Sequence, residues 1–273
     1  MIRIGTVWER TTEVIAGRAS LLAWLAGLFL FAPSVLQTIM RLLAIGNPSS
    51  SMKLLAAIVG LAVVVFALWG TLAMIAMASD PSVDRREAIA QARGRLPAAL
   101  GVMLVILAVT LVVVVLPLSF MVAGSIDMAR LEQGAPALDA ATAAKAGWLL
   151  IVMSIVALLV GARLLPLFAV VLLERRGLGA FARSFALTRG STIRLIGLML
   201  LYAVVALVLI WATTFVLGVT GRILFGQTGQ AWTVLLVSIA TGILTAGLSV
   251  LQSVFSAQFY LAARAHFDRR DDA

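Results

Sequence analysis

The sequence predicts an all-α fold: a polytopic membrane bundle of six transmembrane helices, with amphipathic interfacial helices before helices 1, 3 and 5. Three observations carry this. Apolar residues make up 62% of the 273, and mean hydropathy is +1.10, whereas soluble domains are roughly 45–50% apolar. Six apolar runs each reach the roughly 20 residues needed to cross about 30 Å of hydrocarbon. The Lys and Arg residues gather in alternate connections between those runs.

The runs fall at residues 21–43, 53–78, 97–123, 147–173, 193–219 and 231–262. Gly46-Asn47-Pro48-Ser49-Ser50-Ser51 is a short turn after the first. Ser79-Asp80-Pro81-Ser82 ends the second. Residues 124–146, with Asp127, Arg130, Glu132 and Asp139, form the longest loop. Gly226-Gln227-Thr228-Gly229 separates the last two spans. The N-terminus carries Glu9 and Glu13 and no small-residue cleavage site follows span one, so it is expected to be retained rather than cut as a signal peptide.

The N-terminal segment, the 79–96 and 174–194 loops and the C-terminal tail hold 15 Lys and Arg. The opposite connections hold five: Arg41, Lys53, Arg130, Lys145 and Arg222. By the positive-inside rule the 15-charge face is cytoplasmic, with both termini on it. Trp148 and Trp232 stand at the outer starts of spans four and six, where an aromatic belt is expected.

A threefold repeat is expected, with units 1–78, 79–173 and 174–273. In each, a basic amphipathic stretch leads into a helical hairpin. The first stretch, Ile4 to Arg18, puts Ile4, Val7, Trp8, Thr11, Val14 and Ile15 on one face. The second, Ser82 to Arg95, has Asp80 as its expected N-cap and Pro81 in its first turn. The third, Leu178 to Arg189, puts Leu178, Phe181 and Phe185 on one side. Arg18, Arg93 and Arg189 mark the three junctions. Gly94 and Gly190 are expected helix C-caps, and Ser20 and Ser191 expected N-caps of the following spans. Such stretches suit the interface plane, with arginine toward lipid phosphate. The competing reading is that every cytoplasmic loop is basic and the likeness is chance.

The net charge of +9 matches anionic membrane lipids as partners, and with the basic residues beside apolar runs no nucleic-acid partner is expected. The chain has no Cys and a single His, His266, which excludes disulfides, thiolate metal sites and paired-histidine catalysis within it. No metal or other cofactor is expected. No Asp or Glu lies in a span, so no intramembrane carboxylate is available as a base.

Arg163 lies deep inside span four, about 16 Å from the cytoplasmic end at 1.5 Å per residue. Its candidate partners are backbone carbonyls, hydroxyls or a lipid phosphate, and Pro166 frees a helical carbonyl nearby. It reads either as an anion or headgroup site or as a structural residue bonding across helices. Span six carries Ser238, Thr241, Thr245, Ser249, Gln252, Ser256 and Tyr260 on one helix face. That stripe reads either as a packing seam or as a cavity lining. Arg163 could face it.

Arg163-Leu164-Leu165-Pro166, Glu174, Gly177 and Ser184-Phe185-Ala186-Leu187-Thr188-Arg189-Gly190 together resemble the fourth-to-fifth helix signature of the glycerophosphodiester phosphodiesterase membrane-domain family of prokaryotes. The tail Tyr260-Leu261-Ala262-Ala263-Arg264 is similar to that family's closing pattern, a Tyr followed by a Leu-Arg pair, with Ala263 in place of the Leu. The resemblance implies six helices in the bacterial cytoplasmic (inner) membrane. The family is named for members fused to a soluble phosphodiesterase barrel. This chain lacks that domain and the paired histidines it needs, so the activity does not transfer.

Two functions stay open. One is a non-enzymatic membrane module that organises lipid, or a membrane or cytoplasmic protein partner. The other is a transporter or permease component for an amphiphile or anion passing Arg163. A permease docking an ATPase would show Glu-Ala-Ala with Gly six residues after the Glu. Glu87-Ala88-Ile89 with Gly94 departs from that.

Overall fold

The computed structural model describes residues 4–46, 49–123, 140–226 and 229–271. Among them every regular element is helical: α1 (Ile4–Ala26), α2 (Ala32–Gly46), α3 (Ser50–Ser79), α4 (Arg85–Thr110), α5 (Leu116–Ala123), α6 (Ala140–Leu164), α7 (Leu167–Leu173), α8 (Ala180–Leu187), α9 (Thr192–Phe225) and α10 (Gln230–Asp271). One-turn π segments, Gly27–Phe31 and Leu111–Val115, join α1 to α2 and α4 to α5. Each π segment precedes a proline, Pro33 or Pro117. Proline lacks an N–H and crowds the carbonyl one turn back, and a local π turn relieves both.

Six helices are long and apolar enough to cross a membrane: Ile4–Ile45, Ser50–Ser79, Arg85–Met121, Ala140–Leu173, Thr192–Phe225 and Gln230–Asp268. The chain is a multi-pass integral membrane protein. Several helices overrun the bilayer. Gln230–Asp271 has 42 residues, about 63 Å at 1.5 Å per residue, against a hydrocarbon core of about 30 Å.

The buried core sits at the basic end. Leu22 and Leu25 of α1, Leu72 to Met77 of α3, Ala88, Ala92 and Ala99 of α4, Val170 and Val171 of α7, and Phe259 and Tyr260 of α10 are buried together. Toward the opposite end, Leu54, Leu61, Leu107, Ile151, Leu207, Trp211 and Phe215 are exposed. A bilayer covers such a continuous apolar surface without the cost that water would impose. Trp148 and Trp232, the expected belt residues, are also exposed.

Several local expectations are corrected. Asp84, not Asp80, caps α4, its carboxylate accepting from the Glu87 N–H at 2.8 Å. Asp80 closes the preceding turn, accepting from the Ser82 N–H (2.8 Å) and hydroxyl (2.7 Å). Gly94 ends nothing: α4 runs through it and through Pro97. Helix propagation costs Gly only about 1 kcal/mol, and the packed alanines on both sides hold the rod together. Ser20 lies inside α1, whose kink is at Arg18 (φ −128°, ψ 21°). Gly190 does take a left-handed φ of 90°, and α9 starts at Thr192, but the Ser191 side chain makes no cap bond.

The stretch before span three is thus continuous with its span, the first meets span one at the Arg18 kink, and α8 is separate from α9. Val7 and Thr11 are buried, so the predicted face of the first stretch packs on protein, with Trp8 exposed. On α8 the buried side is Ala180, Ser184 and Leu187, while Phe185, and Leu178 just before the helix, are exposed. Asn47, Pro48, Asp127, Arg130, Glu132, Asp139, Gln227 and Thr228, assigned to loops above, lie outside the described residues. Ala140 to Ala146, expected in the long loop, already belong to α6.

Candidate functional site

The site forms where span four breaks. α6 stops at Leu164 and α7 restarts at Leu167. Pro166 has no N–H to continue the ladder, so carbonyls at the break need other donors. They find them on two other helices. The Ser184 hydroxyl of α8 donates to the Arg163 carbonyl at 2.6 Å. The Ser256 hydroxyl of α10 donates to the Leu165 carbonyl at 2.7 Å. Expected depth for Arg163 was counted along an unbroken helix, and span four is not one: α8 closes on it from the basic side. Its guanidinium lies 5.8 Å from the Phe185 ring centroid. Among the described residues it has no ion-pair partner.

α7 is almost wholly buried and ends at Glu174. Glu174 is the C-cap residue of α7. It accepts from Arg183 Nε at 3.0 Å and from the Tyr260 hydroxyl at 3.1 Å, with Arg176 Nε at 3.1 Å. The carboxylate is only 11% exposed and the Arg183 side chain 19%. Arg183 also stacks on Phe267 at 4.6 Å. One acid therefore ties α7, α8 and α10 together. The following residue, Arg175, has φ 56°, the left-handed conformation that usually falls to glycine after a helix end.

Beside this cluster the C-terminal end of α3 is capped by side chains. Arg18 donates to the carbonyls of Met77 (2.8 Å), Asp80 (3.2 Å), Val83 (3.4 Å) and Pro81. Gln258 of α10 donates to the Ala78 carbonyl at 2.7 Å. A cation at the negative end of a helix dipole is favourable. Asp80 is held below its ordinary value of 3.8, chiefly by the Ser82 backbone N–H and then its hydroxyl, with a smaller contribution from the Arg18 charge.

The predicted stripe divides in two. At its inner end Ser256 and Tyr260 are buried and bonded to span four's connection. Farther out, Thr241 and Thr245 donate to their own helix at Val237 (2.7 Å) and Thr241 (2.8 Å). Ser238 and Ser249 are half-buried, and Gln252 is exposed. A lateral groove along this helix, about 520 Å³, lies between α10 and α1, not span four, and its lining is apolar: Leu22, Ala26, Phe31, Ala246 and Val250 among others.

Of the predicted arginines, Arg18 is consumed by carbonyls. Arg93 and Arg189 are exposed with no ion-pair partner among the described residues. Glu174, Arg183 and Gln258 were missed as site residues. The signal that could have found Glu174 and Arg183 is their nine-residue separation across a Gly-containing turn, Gly177 to Gly179. Among the described residues no group of three or more His, Cys, Asp and Glu could hold a metal. Comparison with known protein families, with characterised proteins and with solved structures found no match for this chain.

Proposed function

We propose that this protein is a non-enzymatic membrane module that organises anionic lipid, or a partner protein, at the basic face of its bundle. The observation that carries the reading is the closure between spans four and six. Ser256 and Tyr260, the polar groups that could have lined a passage, are spent on Leu165 and Glu174. Further support comes from Arg93 and Arg189, exposed and without ion pairs among the described residues, and from Phe185, exposed one turn before Arg189. Apolar side chains next to arginines suit the acyl–headgroup boundary.

The same reading takes the overhanging basic helix ends as interfacial, the basic face as cytoplasmic with both termini on it, and the membrane as a bacterial inner membrane. It takes the three basic junctions as repeats of one unit and the motif resemblance as kinship to the glycerophosphodiester phosphodiesterase membrane domains, without their chemistry. The test is lipid analysis by mass spectrometry of the purified protein, with Arg163→Ala and Arg189→Ala beside wild type. Enrichment of anionic lipid in wild type and its reduction in the variants is the expected result. Identical lipids at identical levels in all three would sink the reading. Flux of a charged amphiphile through proteoliposomes, abolished by Arg163→Ala, would instead establish the transporter.

A further inference from the structure

The notch between α1 and the first turn of α4 is a second feature of the basic end, and none of its residues was a sequence candidate. It has a volume of about 420 Å³ and is lined by Leu21, Trp24, Asp84, Arg85, Arg86 and Ile89. We propose that it binds one anionic phospholipid, phosphate on the two arginines and upper acyl chain on the apolar wall. The inference rests on the lipid-organising reading and gives it a location.

Charge and shape both point to an amphiphile. Arg85 lies over the Trp24 ring, its guanidinium carbon 5.4 Å from the centroid, which fixes the charge above the aromatic surface. Arg86 is exposed and has no ion-pair partner among the described residues. The neighbouring acids are already engaged. Asp84 accepts from the Glu87 N–H at 2.8 Å, and Glu87 accepts from Gln91 at 3.2 Å. The helix amides are thus capped from within, and the attraction for an anion comes from the two guanidiniums, which outnumber the one acid of the lining, Asp84. Guanidinium forks suit phosphate oxygens. Leu21, Trp24 and Ile89 form a wall that a soluble anion would not use, and tryptophan at this level is a headgroup-region residue. A lipid phosphodiester uses both halves of the notch, whereas free phosphate uses one.

The experiment is native mass spectrometry of the full chain in detergent, titrated with phosphatidylglycerol, phosphatidylcholine or inorganic phosphate. Wild type should hold one phosphatidylglycerol in preference to phosphatidylcholine. In Arg85→Gln/Arg86→Gln that preference should fall by roughly tenfold to thirtyfold, the loss expected for two arginines at a headgroup. Arg41→Gln/Arg222→Gln, exposed at the opposite end of the bundle, should leave the tight site intact, and Trp24→Ala should weaken both lipids. Should the double glutamine variant fail to fold, Arg85→Lys/Arg86→Lys keeps the charge, removes the forks and should lose part of the preference. A preference that survives in the Arg85/Arg86 variants overturns the site but not the broader reading. No preference in wild type overturns both. Inorganic phosphate displacing the lipid at equal concentration overturns the lipid assignment.

Discussion

Replacing Glu174 should loosen three helices at once. The carboxylate accepts from Arg183 and Tyr260, and both the acid and Arg183 are largely withdrawn from solvent, at 11% and 19% exposure. Removing one partner of a buried pair costs about 3–5 kcal/mol. The residual exposure here puts Glu174→Ala near the lower end, about 3 kcal/mol. Arg176, whose side chain is 55% exposed, adds at most about 1 kcal/mol. For a chain of this size, about 3 kcal/mol lowers the melting temperature by roughly 6–12 °C. Glu174→Gln keeps an acceptor without the charge and should lose about half as much. Tyr260→Phe removes one hydrogen bond and should cost about 1–1.5 kcal/mol. Thermal unfolding in detergent, followed by the loss of the monodisperse peak on size exclusion, measures all three. Glu13→Ala, on an exposed position, is the control. If Glu174→Ala melts with the control, the acid does not tie α7, α8 and α10 together and the reasoning fails.

Other perturbations test separate contacts. A Cβ added at Gly70 would lie 2.4 Å from the Phe29 Cβ, so Gly70→Ala should destabilise by about 1–3 kcal/mol, read in the same melt. Arg175→Gly should raise the melting temperature, because the left-handed φ of 56° costs a non-glycine residue about 1 kcal/mol. Asp80 is held below 3.8 in the folded state, so the stability it contributes is present above that pH and is lost as pH falls through the lowered folded value. Asp80→Asn should therefore lower the melting temperature above pH 3.8 and converge on wild type as pH falls below it, flattening the acid limb. The chain has no cysteine, so Thr12→Cys and Ser51→Cys can report orientation with an impermeant maleimide. In intact cells only the Ser51 position should label.

Most of the spans were legible because hydrophobicity is a property of local windows, and the bilayer imposes one length on all of them. Gly190 was legible for a similarly local reason: a Gly after a short helix takes the left-handed conformation cheaply. Gly94 and Asp80 looked equally good and were not chosen. Asp84 offered a better cap three residues before Glu87, and packed alanines carried α4 through Gly94. The stripe on span six was visible as a face, and its inner end does meet the segment after Arg163, through Ser256 and Leu165. Its partners were not visible, because 91 residues separate that pair and 180 separate Gln258 from Ala78.

Composition and spacing were therefore enough for six apolar helices and for a carbonyl freed near Pro166. Which hydroxyl meets that carbonyl, which arginine Glu174 holds, and which arginines stay open to solvent or lipid came from packing. Each depends on how helices distant in sequence approach, since a buried polar group takes whichever partner the packed core brings within about 3 Å.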